Sequence, residues 1–161
     1  AQRNTVFPEL PRFGLRLFLP QEMSQVNYYG MGPMECYCDK HHAASHNSYT
    51  ATVWQLHEDY IRPQENGSHF DCDYVMLAGD AVRLTAVGTQ PFSFNASHYT
   101  QEELTRKAHN YELEPCSSTV LCLDYAQNGI GSESCGPRLL EQYRLDDATF
   151  NFGLRLFPEK K

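Results

Sequence analysis

The sequence predicts an all-β domain, an antiparallel sandwich carrying one or two short helices. Three observations carry that prediction. Apolar residues recur at every second position in segment after segment, the period that places side chains on one face of a pleated strand. These segments are short, and clusters of Gly, Pro, Asn and Asp separate them, which is the turn chemistry of antiparallel neighbours. With 161 residues, the chain fits one domain that buries roughly 68–70% of the surface its unfolded form exposes, so a core forms without covalent staples.

In chain order, the first ten residues, with Pro8 and then Pro11, read as an irregular lead-in. The first strand places Phe13, Leu15, Leu17 and Leu19 on one side and Arg12, Gly14, Arg16 and Phe18 on the other, and Pro20 closes it. Further strands are expected at Val26–Tyr29, Thr50–Trp54, Asp71–Met76, Ala81–Val87, Phe92–Asn95, Tyr111–Leu113 and Val120–Tyr125. Trp54, the single Trp, stands in the alternating run Thr52-Val53-Trp54-Gln55-Leu56 and reads as core. A helix is expected at Thr100–Lys107, with Thr100 as N-cap, Glu103 completing a capping box, and Leu104 and Ala108 facing inward. A second helical turn is expected from Asp39 through Ala44. The hexapeptide Phe13–Phe18 recurs as Phe152–Phe157, closed by Pro158; one matched hexapeptide is no repeat architecture and reads as two core strands in similar surroundings. No low-complexity linker divides residues 1–161, so a single domain is expected.

Composition excludes several classes. Thirteen Lys and Arg against twenty Asp and Glu give a formal charge of −7, whereas a nucleic-acid partner calls for a basic stripe. No apolar run approaches the ~18 residues of a membrane span, and no signal-peptide pattern opens the chain. The six cysteines are too few for a disulfide scaffold at this length and read as reduced, cytosolic thiols. The sequons at Asn66 and Asn95 matter only in a secretory compartment.

Four constellations bear on chemistry. Cys36, Cys38, His41, His42 and His46 are all zinc-ligand types, but no second Cys-x-x-Cys or His-x₃₋₅-His follows at the separation structural sites use, so no metal is expected there. Ser132 and Ser134 lack the strand-to-helix elbow of a nucleophile. A retaining glycosidase needs two carboxylates about 5–5.5 Å apart, and nothing in the sequence selects a pair; Glu35 and Glu65 sit beside Gly or Pro, where a carboxylate braces backbone amides or pairs with Arg. The loop Gly129–Pro137, with three glycines and a proline, suits close approach to another surface and is anchored between Val120–Tyr125 and Leu139, Leu140 and Tyr143.

Four ordered motifs carry a resemblance: Tyr29-Gly30-Met31-Gly32-Pro33-Met34-Glu35-Cys36-Tyr37-Cys38-Asp39; Pro63-Gln64-Glu65-Asn66-Gly67; Phe92-Ser93-Phe94-Asn95 with Tyr99–Leu104; and Gly129–Pro137 with Tyr143-Arg144-Leu145. Together they resemble the carboxy-terminal, small-chain region (domain 5) of the large bacterial β-galactosidases. The resemblance implies a galactose-mutarotase-like super-sandwich of which this chain is the carboxy-terminal portion. It implies that the catalytic glutamates and magnesium ligands lie on an α/β barrel elsewhere in the polypeptide or on a separate large subunit. A galactoside such as lactose, magnesium, a monovalent cation and a homo-oligomer then belong to the intact, cytoplasmic enzyme, and this chain alone is inactive, with no catalytic residue and no metal of its own.

By the same resemblance, Ser134, Cys135 and Gly136 contribute to one wall of the substrate pocket, in a loop where well-known members carry a Trp that stacks on the sugar. Cys135 cannot stack, and the loop is one residue shorter, so the leaving-group sugar meets a small, weakly polar wall. Gly30, Gly32, Pro33, Glu35, Asp39, Glu65, Asn66 and Gly67 form the structural motif. Lys40 stands where the family usually has Arg, which removes a planar fork. Two other classes compete: a free-standing carbohydrate-binding or mutarotase-like module, and a structural domain used for oligomer contacts.

Overall fold

The computed structural model describes residues 9–130 and 138–161. Among them, seven strands form one antiparallel sheet: β1 Arg12–Pro20, β2 Gln25–Gly32, β3 Ser45–Thr52, β4 Ser68–Ala78, β5 Val82–Ser97, β6 Ser118–Gln127 and β7 Leu154–Lys160. Their order is β1-β6-β5-β4-β2-β3, and β7 pairs with β5 beside β6. The all-β antiparallel class expected from the sequence is the one the chain adopts.

Cross-strand rows build the core. Val26, Leu77 and Leu84 lie opposite one another, as do Tyr28, Val75 and Ala86. Leu17, Leu121 and Ala96 form a third row. Phe92, Phe94 and Leu123 join them, and Val53 and Leu56 close over the face from a 3₁₀ turn. Each such large side chain contributes about 1.5–3 kcal/mol by burial. β6 is buried on both faces from Thr119 to Asp124, which explains its near-continuous apolar run. The reverse face of β6 receives the Gln101 side chain, whose amide nitrogen lies 3.3 Å from the Cys122 sulfur.

Several elements differ from expectation. Ala81–Val87 and Phe92–Asn95 belong to one long strand, β5. The breakers that suggested a gap lie in a register shift: Tyr74 faces Val87 and Cys72 faces Phe92, which leaves Thr89-Gln90-Pro91 without a partner on β4. Pro91 therefore costs no ladder hydrogen bond there. Val53–Leu56 is a 3₁₀ turn capped by Thr52, with Gln55 completing a reciprocal capping box, and this lifts Trp54 out of the core to 50% exposure. Tyr111–Leu113 is no strand either, since Asn110–Glu112 forms another 3₁₀ turn.

The helix α1, Gln101–Arg106, forms where expected. Thr100 accepts from the Glu103 amide at 3.1 Å, but the Glu103 carboxylate turns to Arg106 and the Glu114 amide instead of closing the box. Leu104 is buried, whereas Ala108 is exposed. Between Asp39 and Ala44 the chain makes tight turns, not a helix. The recurring hexapeptide occupies unlike places: β1 flanks β6, and β7 is mostly exposed beyond Leu154. No helix among the described residues is long and apolar enough to cross a membrane.

Candidate functional site

The segments Gly30–Asp39 and Glu65–Gly67 meet near one end of the sheet, where β2 leaves toward Pro33 and β6 ends at Gln127. Close packing explains the glycines. A side chain on Gly30 would begin 2.3 Å from the Cys72 sulfur, and one on Gly32 would begin 2.2 Å from the Tyr28 hydroxyl. The Gly32–Pro33 peptide is cis.

Glu35, 7% exposed, is the hub. Its carboxylate accepts from Lys40 Nζ at 2.5 Å, from the Tyr60 hydroxyl and from the Gly67 amide at 2.8 Å. Burial alone would raise its pKa, but these three donors and the Lys40 charge outweigh it and hold the carboxyl below its usual range. Gly67 meets this contact with φ +69°, a left-handed angle, and packs against the Leu56 carbonyl. Asn66 fixes the adjoining turn: its side chain accepts from the Glu58 amide at 3.1 Å and donates to the Gln64 carbonyl at 2.9 Å. Glu35 thus braces the Gly67 amide, and Asn66 fixes the turn that presents it.

Glu65 belongs to a second network. Arg12 reaches Glu65 at 3.0 Å and Asp124 at 2.5 Å, and Gln127 donates to Asp124 at 3.2 Å and to the Ser68 hydroxyl at 3.1 Å. Burial would lower the Arg12 pKa, but its hydrogen bond to Asp124 and the charges of Glu65 and Asp124 raise it. Burial raises the Glu65 pKa against the Arg12 charge. Glu35 and Glu65 open onto different clefts, one lined by Met34, Lys40 and His41 and the other by Arg62, Gln64 and Thr105. The two carboxylates therefore do not face a common reacting bond, as a glycosidase pair must.

The thiols and imidazoles diverge. Cys36 donates to the Met31 carbonyl, Cys38 lies against the Gln127 and Tyr143 carbonyls, and His46 turns to the Asp71 carbonyl. No group of three or more His, Cys, Asp or Glu among the described residues could hold a metal ion.

Cys38 and Asp39 form the tip of a tight turn closed by paired hydrogen bonds between Tyr37 and Lys40, at 2.9 and 3.0 Å. That tip docks on the exit of β6, where the Ile130 amide donates to the Asp39 carboxylate at 3.0 Å. Ser132, Ser134, Cys135 and Gly136 lie outside the described residues. Sequence reasoning missed Arg12, Tyr60 and Asp124. Asp124 carried a readable signal, since a charge inside the strand expected at Val120–Tyr125 is buried only with a partner.

The fold and the site together define an antiparallel all-β segment whose buried polar networks brace one end of its sheet. The family described as "Beta galactosidase small chain" matches residues 1–156. Similar proteins include the β-galactosidase of Actinobacillus pleuropneumoniae, 49% identical over 99% of this chain and 16% of its own length. The β-galactosidase of Staphylococcus xylosus is 43% identical over 96% of this chain and 16% of its own length. The chain belongs to the β-galactosidase small-chain family, and it spans about a sixth of the length of these relatives.

Proposed function

We propose that this chain is the carboxy-terminal part of the small-chain domain of a β-galactosidase that removes terminal, non-reducing β-D-galactose residues with retention, lactose among its substrates. The chain completes the substrate pocket, with Ser134, Cys135 and Gly136 as one wall beside a catalytic barrel that the chain does not include. On this reading the chain alone is inactive, and magnesium, a monovalent cation and the homo-oligomer belong to the intact cytoplasmic enzyme. One observation carries the reading: nearly all of this chain aligns with only 16% of the A. pleuropneumoniae enzyme, which leaves most of that enzyme's length for the chemistry. The separate surroundings of Glu35 and Glu65 support the same division of labour.

The test mixes the chain with a β-galactosidase lacking its matching region and measures lactose hydrolysis, alongside a galactose titration of the chain alone. Restored hydrolysis without sub-millimolar binding by the chain supports the reading; binding by the chain alone refutes it. Replacing Cys135→Trp in the complete enzyme alters acceptor affinity more than the galactose-cleaving step, and an unchanged acceptor constant removes that loop from the pocket. A free-standing sugar-binding module is the second reading. The observation that favours it is Trp54, an exposed ring held against His98 and Tyr99 at centroid distances of 4.6 and 5.9 Å.

A further inference from the structure

The turn Tyr37–Lys40 touches the chain where β6 ends. We infer that Asp39 is a positioning residue: its carboxylate fixes the backbone at Gly129–Ile130, the root from which the chain continues into residues 131–137. The inference rests on the reading of that segment as a pocket wall.

The root is held from several directions. The Ile130 amide donates to Asp39 Oδ1 at 3.0 Å, and the Gly129 amide donates to the Tyr143 carbonyl at 2.9 Å. The Asn128 amide donates to the Pro11 carbonyl at 3.0 Å, while its side-chain oxygen accepts from the Leu145 amide at 2.9 Å. Cys38 places its thiol 3.7 Å from the Gln127 carbonyl and 3.8 Å from that of Tyr143, so it spans the outgoing and returning chain. Gly129 is small by necessity, because a Cβ there would start 2.4 Å from Leu139 and 2.8 Å from the Asp39 carboxyl group.

Among these contacts Asp39 alone brings an acidic side chain to a root amide, and a carboxylate acceptor makes such a bond roughly twice as strong as a neutral one. Asp39 is itself rigidly presented. Its turn is closed on both sides by Tyr37–Lys40 hydrogen bonds, and Lys40 is clamped to Glu35, which holds the Gly67 amide. One line of contacts thus runs from Gly67 through Glu35, Lys40 and Asp39 to Ile130. It ties the glycine-proline motif and the Pro63–Gly67 motif to the same root.

The test uses Asp39→Ala and Asp39→Asn in the complete enzyme carrying this chain, with Asp39→Ser as the milder truncation should alanine prevent folding. Amide exchange at Ile130 reads the anchor directly. Loss of the acceptor accelerates it about tenfold or more, and Asn, which keeps an oxygen acceptor, restores most of the protection. Kinetics read the consequence: Asp39→Ala raises KM for lactose several-fold with kcat for a nitrophenyl galactoside unchanged, and Asp39→Asn rescues it. Unchanged Ile130 exchange in the Ala and Ser variants overturns the inference. Faster exchange with an unaltered lactose KM leaves the anchor but removes the segment from the pocket, which overturns the reading beneath it. Equal loss of kcat and KM performance in Asn and Ala, in step with melting temperature, reduces Asp39 to a fold-stabilising residue and likewise overturns the inference.

Discussion

His69 on β4 sits where protonation must unsettle the core. It is 1% exposed, stacks on Phe94 with centroids 5.0 Å apart, and tilts against Tyr28 at 4.5 Å. Its Nδ1 lies 3.2 Å from the Met31 carbonyl and 3.1 Å from the Tyr28 hydroxyl, and its Nε2 is buried with no hydrogen-bond partner among the described residues. Burial lowers its pKa from 6.5 to about 4, against the smaller opposing effects of the Met31 carbonyl and the Glu35 charge. The unfolded chain therefore takes up a proton near pH 6.5 that the folded chain refuses until about pH 4. Stability is full above pH 6.5 and is lost as pH falls through that window. Between pH 7 and pH 5 the loss is about 2 kcal/mol, and it approaches about 3 kcal/mol at the lower end. Urea unfolding of the chain and of His69→Gln at both pH values isolates the contribution, because distant carboxylates contribute equally to both proteins. His69→Gln is less stable at pH 7, yet its stability falls by about 2 kcal/mol less between pH 7 and pH 5. Equal pH slopes for the two proteins refute the assignment.

Three further outcomes are expected. Gly67→Ala places a Cβ 2.2 Å from the Leu56 carbonyl at φ +69° and destabilises by about 2–4 kcal/mol in chemical denaturation; a change below about 0.5 kcal/mol contradicts the close approach. Arg12→Ala leaves Asp124, 2% exposed, without its charge partner and costs about 3 kcal/mol, while a near-neutral effect in the same assay shows that Gln127 suffices. Trp54→Ser costs less than about 1 kcal/mol because the ring is half exposed. As the single Trp, Trp54 also reports on sugar directly: lactose leaves its acrylamide quenching unchanged in the chain alone, and protection by lactose favours the module reading.

Much of the sheet was legible because alternation reports one buried face, as at Val26–Tyr29, and a near-continuous apolar run such as Val120–Leu123 reports a strand buried on both. Trp54 was not, since its pattern matches a strand until Thr52 and Gln55 are read as a capping pair that starts a turn. Tyr111 failed for a related reason: strand-favouring residues occupy a 3₁₀ turn too short to show a period. At the site, the rigidity around Gly30, Gly32 and Gly67 was visible in their composition. The Tyr60 and Gly67 partners of Glu35 and the Glu65 and Asp124 partners of Arg12 were not, because they lie 25 to 112 positions away and local pattern does not encode such contacts. The Asp39–Ile130 bond spans ninety-one positions and is settled only by the docking of one turn on another strand.

The place of β1 in the sheet bears on how the chain assembles during synthesis. β2, β3 and β4 pair with near neighbours in sequence, but among the described residues β1 has a single partner, β6, with Pro20 opposite Ser118 and Arg12 opposite Gln127. It must wait on the ribosome with an apolar edge open until most of the chain has emerged, the slow, long-range closure that exposes a chain to aggregation. The waiting has a benefit for fidelity. Phe13–Phe18 and Phe152–Phe157 are identical hexapeptides competing for one sheet, and vectorial synthesis brings β6 out while only the first copy is present. Temporal order thereby resolves an ambiguity that the two local sequences cannot resolve themselves, and refolding from denaturant, where both copies are present at once, lacks that protection.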